Sequence, residues 1–166
     1  MTDKQAKDLF SVLKVSKKLN FTLNAPAMKS NGAEILVELI TKDGKDTILF
    51  LNVGRSAVID EKRKCNFRFG SNTIRRIDYF SRHTNPEYIQ SKAPNDKFLR
   101  QLMQKYSLKR FDREAHIHVY IDGYADKWAF NIDEFGLDLN INIFKEQIEQ
   151  FCKYCNIDIK VKGGLF

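Results

Sequence analysis

Cysteine, proline, histidine and long apolar runs are all scarce in this chain of 166 residues. Three cysteines cannot make a disulfide scaffold, and three prolines exclude a collagen-like or proline-rich chain. The longest apolar candidates, Ile35 to Ile40 and Ile48 to Leu51, fall far short of the roughly 18 residues that a membrane helix needs. Asp3, Lys4, Lys7 and Asp8 break up the first residues, so no secretory signal and a reducing, cytoplasmic setting are expected. Gly163-Gly164 has no following helix and therefore makes no phosphate loop. No Ser or Cys stands in a recognisable nucleophile motif, and there is no internal repeat. What is present is 43% apolar, 12% aromatic and 30% charged residues, the balance of a single domain over residues 1–166 with its own core.

The charge is uneven. A formal net of +7 divides into +2 over residues 1–54, +9 over 55–113 and −4 over 114–166. A concentration of bases is the electrostatic footprint of a polyanion binder, because each neutralised phosphate releases condensed counterions. The competing reading is a solvated face whose Arg stems pack over apolar surface. The nucleic-acid-binding candidates are Arg75, Arg76, Arg82, Lys97, Arg100, Arg110 and Arg113.

Local patterns predict an α+β fold: a mainly antiparallel sheet of about five to seven strands with an N-terminal, a short middle and a C-terminal helix packed against it. Thr2 and Gln5 form a capping box ahead of Ala6, Leu9, Phe10 and Leu13, predicting a helix over 3–19. Pro26 and Ser30-Asn31-Gly32 break that pattern. Ile35, Val37 and Leu39 alternate, Asp43-Gly44 turns, and Thr47, Leu49, Leu51 and Val53 resume the period of two. A second hairpin runs through Cys65, Phe67 and Phe69, turns at Gly70-Ser71-Asn72 and returns over Ile74 to Phe80. Residues 81–96 read as a loop, and Asn95 caps a helix whose apolar side is Phe98, Leu99, Leu102, Met103 and Tyr106. Ala115 to Ile121 predicts a half-buried strand, and Trp128, Phe130 and Ile132 form the apolar set of the next. Asn140 or Asn142 opens a last helix with Phe144, Ile148, Phe151, Cys152 and Cys155 on one stripe, followed by a short strand through Ile157, Ile159 and Val161.

Chemistry centres on the histidines. His116 and His118 stand two apart on a predicted strand, roughly 6.5 to 7 Å between Cα atoms, so their imidazoles and the Tyr120 hydroxyl share a face. Ile117 and Val119 set that face opposite the core. His83 lies in the turn Arg82-His83-Thr84-Asn85-Pro86, with Arg75, Arg76 and Asp78 on the strand before it. Imidazole titrates near neutral pH, so His83, His116 and His118, with Tyr120 orienting substrate, are the catalytic candidates. Polar residues at alternate strand positions are equally what a solvated sheet face requires. Glu114 and Asp122 are the only carboxylates near in sequence, and no zinc spacing is present, so no metal and no cofactor are expected. The paired His-x-Thr of two-histidine phosphoesterases is also lacking. Cys152 and Cys155 fall at the end of a helix on its apolar stripe, which favours packing over redox work.

Four segments occur in one order: Ile74-Arg75-Arg76-Ile77-Asp78, His83-Thr84-Asn85-Pro86, His116-Ile117-His118-Val119-Tyr120 with Trp128-Ala129, and Phe151-Cys152-Lys153-Tyr154-Cys155-Asn156-Ile157. Over residues 60–166 the chain thereby resembles an uncharacterised bacterial domain family of unknown function. The resemblance implies no chemistry, but it groups His83, His116 and His118 as one feature. Two expectations follow. One is a metal-independent, histidine-dependent ribonuclease or nuclease of a bacterial or phage conflict system, in which Arg75, Arg76 and Arg82 stabilise phosphorane charge. The other is a non-catalytic module that docks on nucleic acid or an acidic protein, with Tyr79, Tyr88 and Tyr106 available for stacking and no membrane involved. A three-histidine metal site is a third alternative.

Overall fold

The computed structural model describes residues 1–26, 32–45 and 48–163. In chain order these contain α1 (Asp3–Ser11), β1 (Lys14–Ser16), β2 (Thr22–Asn24), β3 (Glu34–Thr41), β4 (Leu49–Arg55), β5 (Arg63–Phe69) and β6 (Asn72–Tyr79). After them come β7 (Arg82–Thr84), α2 (Lys97–Lys105), β8 (Arg110–Asp112), β9 (His116–Val119), β10 (Ala129–Asn131), α3 (Phe144–Tyr154), β11 (Ile157–Asp158) and β12 (Lys160–Lys162). The fold is α+β, as its patterning implied. One eight-stranded sheet runs β10-β9-β6-β5-β4-β3-β1-β11, antiparallel except at the β1–β11 edge. Two short ribbons, β2–β12 and β7–β8, accompany it. No helix among the described residues is long and apolar enough to cross a membrane.

The first helix begins as its capping box dictates, with Thr2 Oγ1 accepting from the Gln5 amide at 3.2 Å and Gln5 Oε1 accepting from the Thr2 amide at 2.8 Å. It stops at Ser11 instead of reaching residue 19, and the cause is Lys14. This lysine is buried, and its Nζ donates to the carbonyls of Leu9 at 2.7 Å and Phe10 at 2.9 Å. An ammonium on the final carbonyls satisfies orphan acceptors and complements the helix dipole. Burial still lowers the Lys14 pKa to about 8. Beyond it the chain turns extended and pairs with β3 on one side and β11 on the other.

The cross-strand registers lay out the two sheet faces row by row. On one face Val37, Leu51, Phe67, Arg75 and Val119 align, and beside them Ile35, Val53, Cys65, Ile77, Ile117 and Phe130. Helices α1 and α3 cover this face. α3 buries Phe144, Ile148, Phe151 and Cys152, the stripe its spacing predicts, although it starts at Phe144 and not at an asparagine. Cys65, Cys152 and Cys155 are free, buried thiols, and burial pushes Cys152 up to about 12. Asn156 ends the helix region at φ +54°.

The reverse face is polar. One row reads Leu36, Asn52, Asn66, Arg76, His118, Ala129, and the next Glu34, Gly54, Lys64, Asp78, His116, Asn131. Gly54 leaves room for the Lys64 stem, since a Cβ at that position would lie 2.8 Å from Lys64 Cε and oblige the lysine to shift. The lysine stem crosses the glycine and its Nζ reaches Glu34 at 2.6 Å.

Residues 81–113 cover the β9 end of this polar face. They are not the plain loop expected over 81–96, since they contain β7 and a short 3-10 turn at Gln90–Lys92 before α2. Asp96, one residue after the expected Asn95, caps α2 by accepting from the Leu99 amide at 3.1 Å. In the β7–β8 ribbon His83 pairs with Phe111, and its ring stands 4.6 Å from that of His118. Asn85 is buried and fixes the segment to the edge of the main sheet. Its side chain accepts from the Ala129 amide at 2.8 Å and donates to the Ala129 carbonyl at 2.8 Å and the Tyr106 carbonyl at 2.9 Å. One amide thus takes the place of a ninth strand along β10. The Ser30-Asn31 part of the first break and Thr47 lie outside the described residues.

Candidate functional site

The central histidines are inside the protein. The alternation in β9 places Ile117 and Val119 toward α1 and α3, as expected, but His116 and His118 do not face solvent. They are 0% and 1% exposed, because the β7–β8 ribbon lies over them. Phe111 sits 4.8 Å from the His116 ring, and His83 lies 5.8 Å from His116, with 5.1 Å between His116 and His118. The three histidines therefore form one cluster.

The backbone fixes their tautomers. His116 Nδ1 lies 2.9 Å from the Glu114 carbonyl and His118 Nδ1 2.7 Å from the Asp126 carbonyl. A carbonyl only accepts, so each Nδ1 is the donor and a neutral ring carries its lone pair on Nε2. His83 is the reverse: its Nε2 faces Asn85 Oδ1 at 3.1 Å and the Lys127 carbonyl at 3.0 Å. The Asn85 oxygen is identified by the Ala129 amide it already accepts, so His83 carries its proton on Nε2.

Asp78 completes the group. It pairs directly with His116 across β6 and β9, and its Oδ2 lies 3.3 Å from His118 Nε2 and 3.9 Å from His116 Nε2. Neither Nε2 has a hydrogen-bond partner among the described residues. Arg76 orients the carboxylate, donating from Nε to Asp78 Oδ2 at 2.9 Å and from a terminal nitrogen to Asp126 Oδ2 at 2.6 Å. Burial opposes ionisation of Asp78, but the His118 contact and the Arg76 charge outweigh it and bring the carboxyl down to about 2. Burial lowers His116 to about 4 and also lowers His83, with the charge of His118 adding to the latter. In the sequence Asp78 stands out only with Arg75 and Arg76, as a phosphate or carboxylate contact beside His83, and not as a partner of His116 and His118. Its pairing with His116 spans 38 positions, and only the opposite parity to Ile77 and Tyr79 marks it as belonging to the polar face.

Asp78 also lines a cleft of about 270 Å³ whose wall includes Gly54, Ser56, Lys62 and Lys64. The aspartate is thus shared between the buried histidines and an open, basic depression.

The other candidates are dispersed. Tyr120 is buried apart from the cluster, and its hydroxyl donates to the Met1 carbonyl near the start of α1. The expected grouping of Tyr120 with the histidines is therefore corrected: the chain leaves β9 after Val119, and alternation no longer governs the next residue. Arg75 is on the helix-covered face, 4.5 Å over the Phe10 ring and bonded to the Tyr154 hydroxyl at 3.3 Å. Arg76 belongs to the cluster, and Arg82 is paired with Asp112 at 2.8 Å. Lys97, Arg100, Arg110 and Arg113 are exposed on the 81–113 segment. Tyr79 and Tyr106 are buried and offer no ring for base stacking.

No curated protein and no solved structure matches the chain. A family model does match, and it takes in residues 1–157, reaching further toward the N-terminus than the motif resemblance over 60–166. Asp78, His83, Asn85, His116 and His118 all fall inside it. The chain that builds this cluster belongs to DUF6978, a family of unknown function.

Proposed function

We propose that the protein binds nucleic acid through the outer surface of residues 81–113. The observation that carries this reading is a set of five exposed cations, Lys92, Lys97, Arg100, Arg110 and Arg113. None of them has a carboxylate within ion-pair distance among the described residues. Much of the remaining positive charge in the middle of the chain is internally compensated. Arg55 and Arg63 pair with Asp60, Arg76 with Asp78 and Asp126, Lys105 with Glu134 and Lys109 with Glu114. Arg100 donates to the Pro94 and Asn95 carbonyls and Arg113 lies over Phe80, but neither contact neutralises the charge, and the counterions such cations release make binding depend on salt.

Fluorescence anisotropy with a labelled duplex and a labelled single-stranded RNA tests the reading. Five phosphate contacts on a duplex correspond to a log–log salt slope of about −4.5. The Arg110→Glu/Arg113→Glu variant is expected to lose most of the affinity while keeping its circular dichroism. Absence of binding at low salt, or binding that ignores salt, removes this reading and leaves an acidic protein as the partner to seek.

A second reading, hydrolysis of the bound polyanion, is favoured by the position of Asp78 between the histidine cluster and the basic cleft. The burial of His116 and His118 leaves His83 as the histidine nearest solvent. Cleavage of RNA or DNA by the wild type that disappears in His83→Gln supports it, and equal, negligible cleavage by both removes it.

A further inference from the structure

The convergence of Asp78, His116 and His118 poses an electrostatic problem. Both imidazoles present Nε2 to the carboxylate, and their Nδ1 protons are already committed to backbone carbonyls. Two lone pairs thus face a carboxylate oxygen that already accepts from Arg76 Nε at 2.9 Å, from positions that are 0% and 1% exposed. Acceptors with no donor between them repel, and burial removes the water that would otherwise separate them. A cation at their centre reverses the sign of every interaction.

We propose that Asp78, His116 and His118 bind one divalent transition-metal ion, the imidazoles through Nε2 and the carboxylate through Oδ2. The ligand atoms all lie within 4.8 Å of one another. Two ligands each about 2.0 to 2.2 Å from a tetrahedral ion are separated by roughly 3.3 to 3.6 Å. The observed 3.3 and 3.9 Å separations from Asp78 therefore need only a small contraction.

The surroundings have the character of a ligand-orienting shell. Metal-binding histidines ordinarily donate their second nitrogen to a carbonyl or carboxylate, which sets the tautomer and the ring plane. Here Glu114 and Asp126 provide those carbonyls, and Arg76 anchors the carboxylate. Two nitrogens and one oxygen suit Zn²⁺ and the neighbouring first-row ions better than Ca²⁺ or Mg²⁺, which favour oxygen ligands. Three protein ligands leave a coordination position for an exogenous group, and Asp78, with 16% side-chain exposure, connects the site to the cleft. The rival arrangement is a proton on His118 Nε2 shared with Asp78. This inference stands apart from the nucleic-acid reading, since its residues are not the surface cations.

The test uses the full chain purified without a histidine tag and stripped with a chelator. Zn²⁺ titration followed by calorimetry is expected to show one equivalent bound. Nitrogen-15 NMR of the histidine rings is expected to show Nε2 of His116 and His118 shifting while both Nδ1–H signals persist. Asp78→Asn keeps the side-chain size and is expected to bind Zn²⁺ at least roughly tenfold more weakly. No saturable binding up to about 1 mM Zn²⁺ overturns the proposal. So does binding that leaves both Nε2 resonances unmoved, or an Asp78→Asn variant that is folded and binds as tightly as wild type. If that variant does not fold, the ring-nitrogen spectrum of the wild type decides alone.

Discussion

On one side of the sheet Val37, Leu51, Phe67 and Val119 stand in a single cross-strand row, while the neighbouring row on the other side reads Asn52, Asn66, Arg76 and His118. The strands are the same and the registers are the same, so the difference lies wholly in alternate residues. The first side meets helices mainly through apolar contact, and its cations are tied down: Arg75 spreads over Phe10 and reaches Tyr154, Lys14 caps α1 above Phe67, and Arg63 lies over Phe144 of α3. On the second side residues 81–113 hold His116 and His118 out of water, and further along the sheet Asn52 and Asn66 are half-buried. Burying them lowers stability unless every group is paired, and Asn52 and Asn66 each keep a buried Oδ1 without a partner. A side that tolerates such costs is the side on which to seek function.

Three substitutions break or sharpen this contrast. Phe67→Ala empties the middle of the helix-covered side and is expected to cost about 3 to 5 kcal/mol in denaturant unfolding; a loss below about 1 kcal/mol would mean that this side is not the principal core. Asn85→Ala removes the amide that joins the covering segment to β10 and strands the Ala129 amide. A loss of about 1 to 3 kcal/mol is expected, together with faster hydrogen exchange at Ala129 and greater solvent access to His118. If exchange is unchanged, Asn85 is not what holds the cover. Asn66→Val replaces an under-satisfied polar group by a strand-forming apolar one, and the stability is expected to stay within about 1 kcal/mol of wild type or to rise. A large loss there would show that the polar side contributes to stability after all.

The readable part of the fold is the part fixed by neighbours in sequence. The β3–β4 and β5–β6 hairpins follow from period-two alternation joined by short turns, and the α3 stripe follows from helical spacing. The first helix reads too long because a buried lysine that caps its end is a tertiary fact; in sequence Lys14 is simply another polar position in a helical pattern. The histidine strand shows the same limit. Its existence and its alternation are legible, but whether its polar side is wet depends on where residues 81–113 lie, and nothing within β9 carries that information. The pairing of Asp78 with His116 was illegible for a related reason, since β6 and β9 become neighbours only when the intervening segment loops out over them. The basic middle third was legible as a count. Its division, among the described residues, into seven cations paired with carboxylates and eight that are not, five of these exposed on residues 81–113, required the partners to be placed.

The Asn85 amide has a consequence for association between chains. An uncovered outer strand offers its amides and carbonyls as a template for another molecule's strand, which is a common route to sheet extension and fibrous growth. At Ala129 both of those groups are already taken by one side chain, and His83 holds the Lys127 carbonyl just before it. The same asparagine that roofs the histidine cluster therefore closes this end of the sheet to a second copy. Loss of the residue would expose a polar interior and a sticky edge together.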